Sequence, residues 1–441
     1  MIELGDDILR KALGKGCDAA EVFMKSASGI SVEAKEGSVE ALEASRDFGI
    51  ALKVIRKGRL GFSFTTESAD ADRMVDEALE GALWTAADEF IGIPAAEPSA
   101  EPPVFDEGVA SLSDKDMIRN ALMLEESALA SDSRIRKVRK AEVSRSVGST
   151  AIINSRGVSM SYESSYYSAH VTALAQDEGG DSQTGWEYAG SRRASDVDVQ
   201  AVGREAARRA AELLGSRKIT AVRVPVILSP SVAIDFLEIL SASLSSEAVQ
   251  KKRSFLIGRM GQKIISGFVN IVDDGTLPWT AGTRPVDDEG VPTRMKTLVA
   301  GGVLRGYIYN TYTARKDGVA STGNAVRGGF KTLPGVGVTN IFITPGKSGS
   351  GDDLVRSLSR GLVILGAMGV HTANPVSGDF SVGISGLWVE NGAAVYPFKE
   401  AVMSGNILDM FRKVEGVGSD LTFYGNAGSP SLLIGKMDIS A

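Results

Sequence analysis

The sequence predicts an α+β protein. Its N-terminal domain holds two related helix–strands–helix modules, and its C-terminal domain is mostly β with a few helices. Three observations predict this. Runs alternating apolar and polar residues, as half-buried strands do, fill 20–65 and 134–175, each flanked by helical patterns. The pair Asp70-x-Asp72 recurs as Asp196-x-Asp198, each time opening an Ala-rich helix. After Val222 the texture changes to a buried-type strand and then to a Gly-rich stretch dense in turn signals. The domains are therefore set at 1–215 and 222–441, with a duplication over 1–90 and 113–215 and a Pro-rich connector over 91–112.

Taken in order, Leu4, Ile8, Leu9 and Leu13 sit at helical spacing over 4–14. Strands follow near 20–26, 30–35, 38–44, 48–56 and 60–65, with breaks at Gly29, Gly37 and Gly58. A helix over 71–88 is entered through Ser68, Asp70 and Asp72, short acceptors suited to the free N–H groups of a first turn. In the second module Ser113 caps a helix over 114–130, strands fall near 134–146, 149–154, 157–164 and 166–175, and a helix covers 197–214. Beyond the connector between domains, 224–228 is a buried strand. Ser229-Pro230 starts a helix running to 249, with Pro at the first helical position. Turns follow at Asp274-Gly275, Glu289-Gly290 and Gly301-Gly302, and a short helix covers 352–360 behind Gly351-Asp352. Phe380 to Val389 forms a hairpin arm turning at Glu390-Asn391-Gly392, since Asn-Gly suits two successive residues of positive φ. Ile407, Leu408, Met410, Phe411 and Val414 stripe one face of a closing helix.

At 441 residues the chain exceeds what one core usually supports. Its 50 glycines, scattered rather than periodic, imply many tight turns. A net charge of −7 gives no electrostatic case for direct nucleic-acid contact. No apolar run is long enough for a membrane helix, the N-terminus shows no secretory pattern, and the single Cys17 excludes a disulfide framework. The expected location is the cytoplasm.

Catalytic patterns are sparse. Zinc hydrolysis needs about three protein ligands, whereas the chain has two histidines, His170 and His371, in different domains. Asp273-Asp274 and Asp287-Asp288-Glu289 read as solvated acidic turns without calcium-loop spacing. His371, Asp379 and Ser377 or Ser381 can be drawn as a triad, but no Gly-x-Ser-x-Gly elbow accompanies them. What remains is a set of Gly- and Asn-rich turns around Asn324, Arg327 and 374–380 that could bring backbone close to an extended peptide or serve only as structure. The residues offered for such a groove, or for structure, are Asn324, Arg327, His371, Asn374, Asp379, Phe380, Glu390 and Asn391.

The motifs Ala20-Glu21-Val22, Gly49-Ile50-Ala51-Leu52, Ser321-Thr322-Gly323-Asn324-Ala325 and Ser377-Gly378-Asp379-Phe380-Ser381 together resemble the TldD/PmbA family, once labelled modulators of DNA gyrase. The likeness continues through Glu390-Asn391-Gly392, Tyr396-Pro397-Phe398 and Gly405-Asn406-Ile407-Leu408, nearly the full length. The family pairs two branches as a heterodimer, and the TldD branch carries a His-Glu-x-x-x-His helix and a late cysteine that hold the metal. Here the corresponding helix reads Leu237-Glu238-Ile239-Leu240-Ser241-Ala242, and no cysteine follows it. The resemblance thus implies the PmbA (TldE) branch: a subunit of a cytosolic zinc metallopeptidase acting on unfolded and small peptides. It implies no cofactor in this chain, zinc in a TldD-like partner, and pairing with that partner or with itself. Two alternatives stay open: a free-standing hydrolase around His371, Asp379 and Glu390, or a homodimeric peptide-binding or gyrase-modulating protein.

Overall fold

The structure, a computed structural model, describes residues 1–440, so the last residue of the expected C-terminal domain lies outside it. Helix α1 (Ile2–Gly14) leads into strands β1 (Ala19–Lys35), β2 (Ser38–Arg56) and β3 (Arg59–Thr65), followed by helix α2 (Ala71–Trp84). After the connector come a single turn of helix, α3 (Glu107–Ala110), then α4 (Asp114–Ser131), β4 (Ile135–Asn154), β5 (Ser159–Gln176), β6 (Ser182–Ser191) and α5 (Val199–Glu212). All six strands form one antiparallel sheet in the order β3-β2-β1-β4-β5-β6. The two halves meet at β1 and β4, paired from Glu21 opposite Asn154 to Ala34 opposite Ala141.

Alternation in the strands assigns the two faces of this sheet. Val22, Met24, Leu52 and Ile153 bury against α1 and α2, and Val32, Val143 and Ala169 against α4 and α5. Neighbours one residue away, Phe23, Ala51 and Ile152, face the other side and pack with Val286 and Phe330 of the C-terminal half. Helix α4 starts at a capping box in which Ser113 and Asp116 satisfy each other's backbone N–H groups.

Several sequence expectations are corrected here. Gly29 does not break a strand, because β1 is paired on both sides there, to Ser45 and to Ser146. The expected strands 134–146 and 149–154 are one strand, and 157–164 and 166–175 are another. Strand β6 is a sixth strand beyond those the sequence predicts. Helix α2 stops at Trp84, and Asp70 makes no capping bond, whereas Asp198 caps α5 through Gln200 N and Ala201 N.

The C-terminal half begins with β7 (Val222–Leu228), α6 (Pro230–Ser243) and α7 (Ser246–Gln250). The helix expected to reach 249 ends six residues early. Leu244 O accepts from Ile308 N and Ser246 N donates to Ile308 O, so a passing segment takes the hydrogen bonds that the next turn would have used. Short strands β8 (Ile271–Asp274), β9 (Met295–Ala300) and β10 (Val303–Leu304) precede α8 (Thr311–Asp317), the small ladder β11 (Ala325–Val326) with β12 (Gly335–Val336), and β13 (Ile341–Ile343). Helix α9 (Gly351–Ser357) is capped by Ser350, not by Gly351-Asp352, and Arg360 already belongs to β14 (Arg360–Met368). The chain ends with β15 (Asp379–Glu390), β16 (Ala393–Asn406), α10 (Ile407–Arg412), β17 (Val414–Val417), β18 (Thr422–Tyr424), β19 (Ala427–Ser429) and β20 (Leu432–Ser440). Val414, expected on the closing helix, lies on β17.

These strands make two six-stranded sheets, β10-β9-β8-β13-β19-β18 and β16-β15-β14-β7-β20-β17. The second curls far enough for β16 to pair with β20 as well. Helix α6 belongs to the core between them: Phe236, Leu237 and Leu240 are fully buried beside Ile343, Ile364 and Phe380.

Candidate functional site

The resemblance drawn from the sequence would place metal ligands on helix α6. Its inward stripe is apolar, and Leu237 has no exposed surface. Ala242 is exposed but offers no donor atom. Only Asp235 and Glu238, three residues apart, carry charge on the helix face. Asp235 opens onto a cleft of about 560 Å³ between α6, β14 and β15 on one side and β6 and α5 on the other. Partial burial, aided by Glu238, pushes the Asp235 carboxyl up to about 6, and burial raises Glu238 as well. Sequence reading passed over Asp235; the signal that could have found it was two acids at i and i+3 on an otherwise apolar helix. A zinc site needs about three donors, and among the described residues no three His, Cys, Asp or Glu side chains are so grouped. The residues of α6 do not fit the metal.

The eight residues selected from the sequence fall into four places. Asn324 and Arg327 are buried at the junction of the two halves, closed to any substrate. Asn324 donates to Asp273 and to Gly337 O, both at 2.8 Å. Arg327 crosses into the N-terminal sheet, donating to Glu21 at 2.8 Å and to Thr332 O at 2.7 Å, with its guanidinium over the Phe23 ring. The acidic turns expected to be solvated are buried in the same network. Asp273 pairs with Lys296 at 3.0 Å and accepts from Thr339 N. Asp287 accepts from the backbone N–H groups of Glu289, Val291 and Ala325. Glu289 accepts from Thr311 N and lies 3.4 Å from Lys53. Paired cations and backbone donors are what allow these carboxylates indoors. Burial still pushes the Glu21 carboxyl up, against the pull of Lys53 and Arg327.

His371 and Asn374 lie on an exposed loop that leads into Asp379, the exposed first residue of β15. Asn374 Oδ1 accepts from Val376 N and Ser377 N, and Asp379 accepts from Ser377 Oγ at 2.7 Å and Asn406 Nδ2 at 2.9 Å. The Asn406 and Ser377 bonds hold the Asp379 carboxyl below its usual range. Asp379 thus orders the loop through Asn406, itself the cap of α10, and its oxygens are engaged by groups other than an imidazole. His170, the second histidine, lies on β5 opposite Glu142 and Tyr188 in the other sheet.

Phe380 is no groove residue. It is 5% exposed and stands edge-on to Phe236 at 5.0 Å. Glu390 accepts from Trp388 Nε1 at 2.9 Å, and Asn391 and Gly392 take φ of 51° and 75°, the hairpin turn expected of Asn-Gly.

Comparison with known proteins bears on the chain as a whole. Residues 20–82 match the PmbA/TldA metallopeptidase domain 1, residues 107–214 the central domain, and residues 221–441 the C-terminal domain. The Metalloprotease PmbA of Escherichia coli O157:H7 is 30% identical over 437 residues, covering 98% of this chain and 94% of that protein. A crystal structure from Thermotoga maritima, described as a putative modulator of a DNA gyrase, superposes with a TM-score of 0.93 at 28% identity, covering 99% of each chain. TldE from Thermococcus kodakarensis shares the fold, with a TM-score of 0.91 at 20% identity and coverage of 99% of this chain and 100% of that one.

Proposed function

Because the chain belongs to the PmbA/TldD metallopeptidase family, we propose that it acts as the TldE-type subunit of a two-chain zinc metallopeptidase and supplies no metal ligand itself. The observation that carries this reading is the apolar state of α6. Leu237 is packed into the core and Ala242 has no donor atom, so only Glu238 is left of a His-Glu-x-x-x-His pattern. A zinc ion with one protein carboxylate lacks both the affinity and the geometry for hydrolysis.

In this reading the catalytic zinc, with its water, belongs to a TldD-type partner. This chain contributes walls to the space in which unfolded and small peptides are held. The cleft beside Asp235 and the exposed residues of the loop 369–379 are the surfaces that offer themselves, since both are open to solvent. The complex acts in the cytoplasm. A self-paired form is the expected state when the partner is absent.

The reading is tested by producing the chain with and without a TldD-type chain bearing His-Glu-x-x-x-His, then following co-elution and cleavage of a fluorogenic peptide. Co-elution, with cleavage that needs both chains, supports it. Separate elution with cleavage by the TldD-type chain alone overturns it.

A further inference from the structure

A cavity of about 390 Å³ lies at the junction of the two halves, away from α6 and from the loop 369–379. Its walls come from both sides: β2, β3 and the connector on one, and α7, α8 and residues 333–335 on the other. Its charged lining is balanced, with Lys53, Lys251 and Lys316 against Asp88, Glu247 and Glu289. The rest combines apolar Leu60, Ile91, Leu333 and Pro334 with polar Gln250, Asn310, Tyr312 and Thr313.

The partners of these charges show which are spent. Both Asp88 oxygens are engaged, by Tyr312 Oη and by Phe90 N. Lys251 bonds one oxygen of Glu247, leaving the other free. At the floor, Glu289 accepts from Thr311 N. Lys316 is exposed and lies over the Tyr312 ring without a carboxylate partner among the described residues, so among the buried charges Lys53 is the exception. It is 6% exposed, its ammonium carries three donors, and its one hydrogen bond is the 3.4 Å contact with Glu289. Glu21 Oε2, 3.8 Å away, accepts no hydrogen bond at all. The charge of this ammonium is balanced by Glu289 and Glu21, but two of its three donors have no acceptor among the described residues, and a group in the cavity can take them.

We propose that this cavity binds a small zwitterion with apolar side groups, a dipeptide in size, whose carboxylate accepts from Lys53 and whose ammonium faces Glu247. The balanced lining disfavours a ligand of large net charge, and the apolar walls disfavour a purely polar one. The volume is at the low end of the roughly 300–1,000 Å³ seen for ligand sites, which excludes a longer peptide. Because the walls belong to both halves, the ligand ties them together and stabilises the whole chain by mass action. The site goes beyond the proposed function and does not depend on it, since binding is measured on this chain alone.

The experiment is calorimetric titration of the full chain with L-leucyl-L-leucine, its C-terminal amide and its N-acetyl form, with thermal unfolding alongside. Saturable binding of the free dipeptide with a raised Tm is expected. Binding should be weaker by about tenfold or more for both blocked forms, as follows from losing a hydrogen bond to a charged group. Lys53→Met should weaken binding comparably. Leu333→Trp, on an exposed loop and so compatible with folding, should abolish binding by filling the mouth. The proposal is overturned if the free dipeptide does not bind, if the amide binds equally well, or if Leu333→Trp leaves binding unchanged.

Discussion

Arg327 reaches from the C-terminal half into the N-terminal sheet and donates to Glu21 at 2.8 Å, both side chains being closed to solvent. Replacing it by Met leaves Glu21 buried with Lys53 as its sole neighbouring cation. The expected cost is ~3–5 kcal/mol, read as a fall in the urea midpoint. Glu21→Gln should cost less, because it removes the charge that burial penalises. Asp235 makes an opposite case. Its folded carboxyl titrates near about 6 against an ordinary 3.8, so the stability it lends is present below pH ~4 and lost as pH rises through 6. Asp235→Asn should therefore match the wild type near pH 4 and exceed it at pH 8, by up to ~2 kcal/mol given the solvent around the group. Urea unfolding at both pH values checks this; a variant weaker at pH 8 would show that the charge is held by an attractive contact.

At the scale of elements, two glycines do the same work in the two halves. A Cβ on Gly61 of β3 would lie 1.8 Å from Ala78 O of α2, and one on Gly185 of β6 would lie 2.3 Å from Ala210 N of α5. Each lets a helix backbone rest on an edge strand. Gly61→Ala and Gly185→Ala should each cost at least ~1–3 kcal/mol by forcing helix from strand, seen as a lowered Tm. Helices were legible in the sequence where caps mark them, as at Ser113 and Ser229. The hairpin at Asn391-Gly392 was legible because its turn demands that dipeptide. Long strands were not, since Gly29 looks like a break until neighbours on both sides pair through it. The end of α6 was hidden for a related reason: the segment at Ile308 that competes for its hydrogen bonds lies far along the chain. The buried acids at 273–274 and 287–289 were misread because much of what pairs with them comes from other elements: Lys53 with Glu289, Lys296 with Asp273, and the backbone N–H groups of Ala325 and Arg327 with Asp287 and Asp288. Sequence proximity says nothing of such pairing.

At the scale of the molecule, the chain joins an antiparallel sheet with helices on one face to two packed sheets with α6 in their core. The junction is held by the Glu21–Arg327 pair and by Phe330, whose ring leaves no room for a Cβ at Gly49. That frame is the family's, α6 carries no histidine or cysteine, and the proposed role is to take part in peptide cleavage without holding the metal. The most direct measurement is zinc content and peptide cleavage for the purified chain alone and for its complex with a TldD-type chain. The proposed subunit role predicts no stoichiometric zinc and no cleavage for this chain alone, one zinc and full cleavage for the complex, and no loss on His371→Ala. One zinc per isolated chain together with cleavage, abolished by His371→Ala, would contradict it.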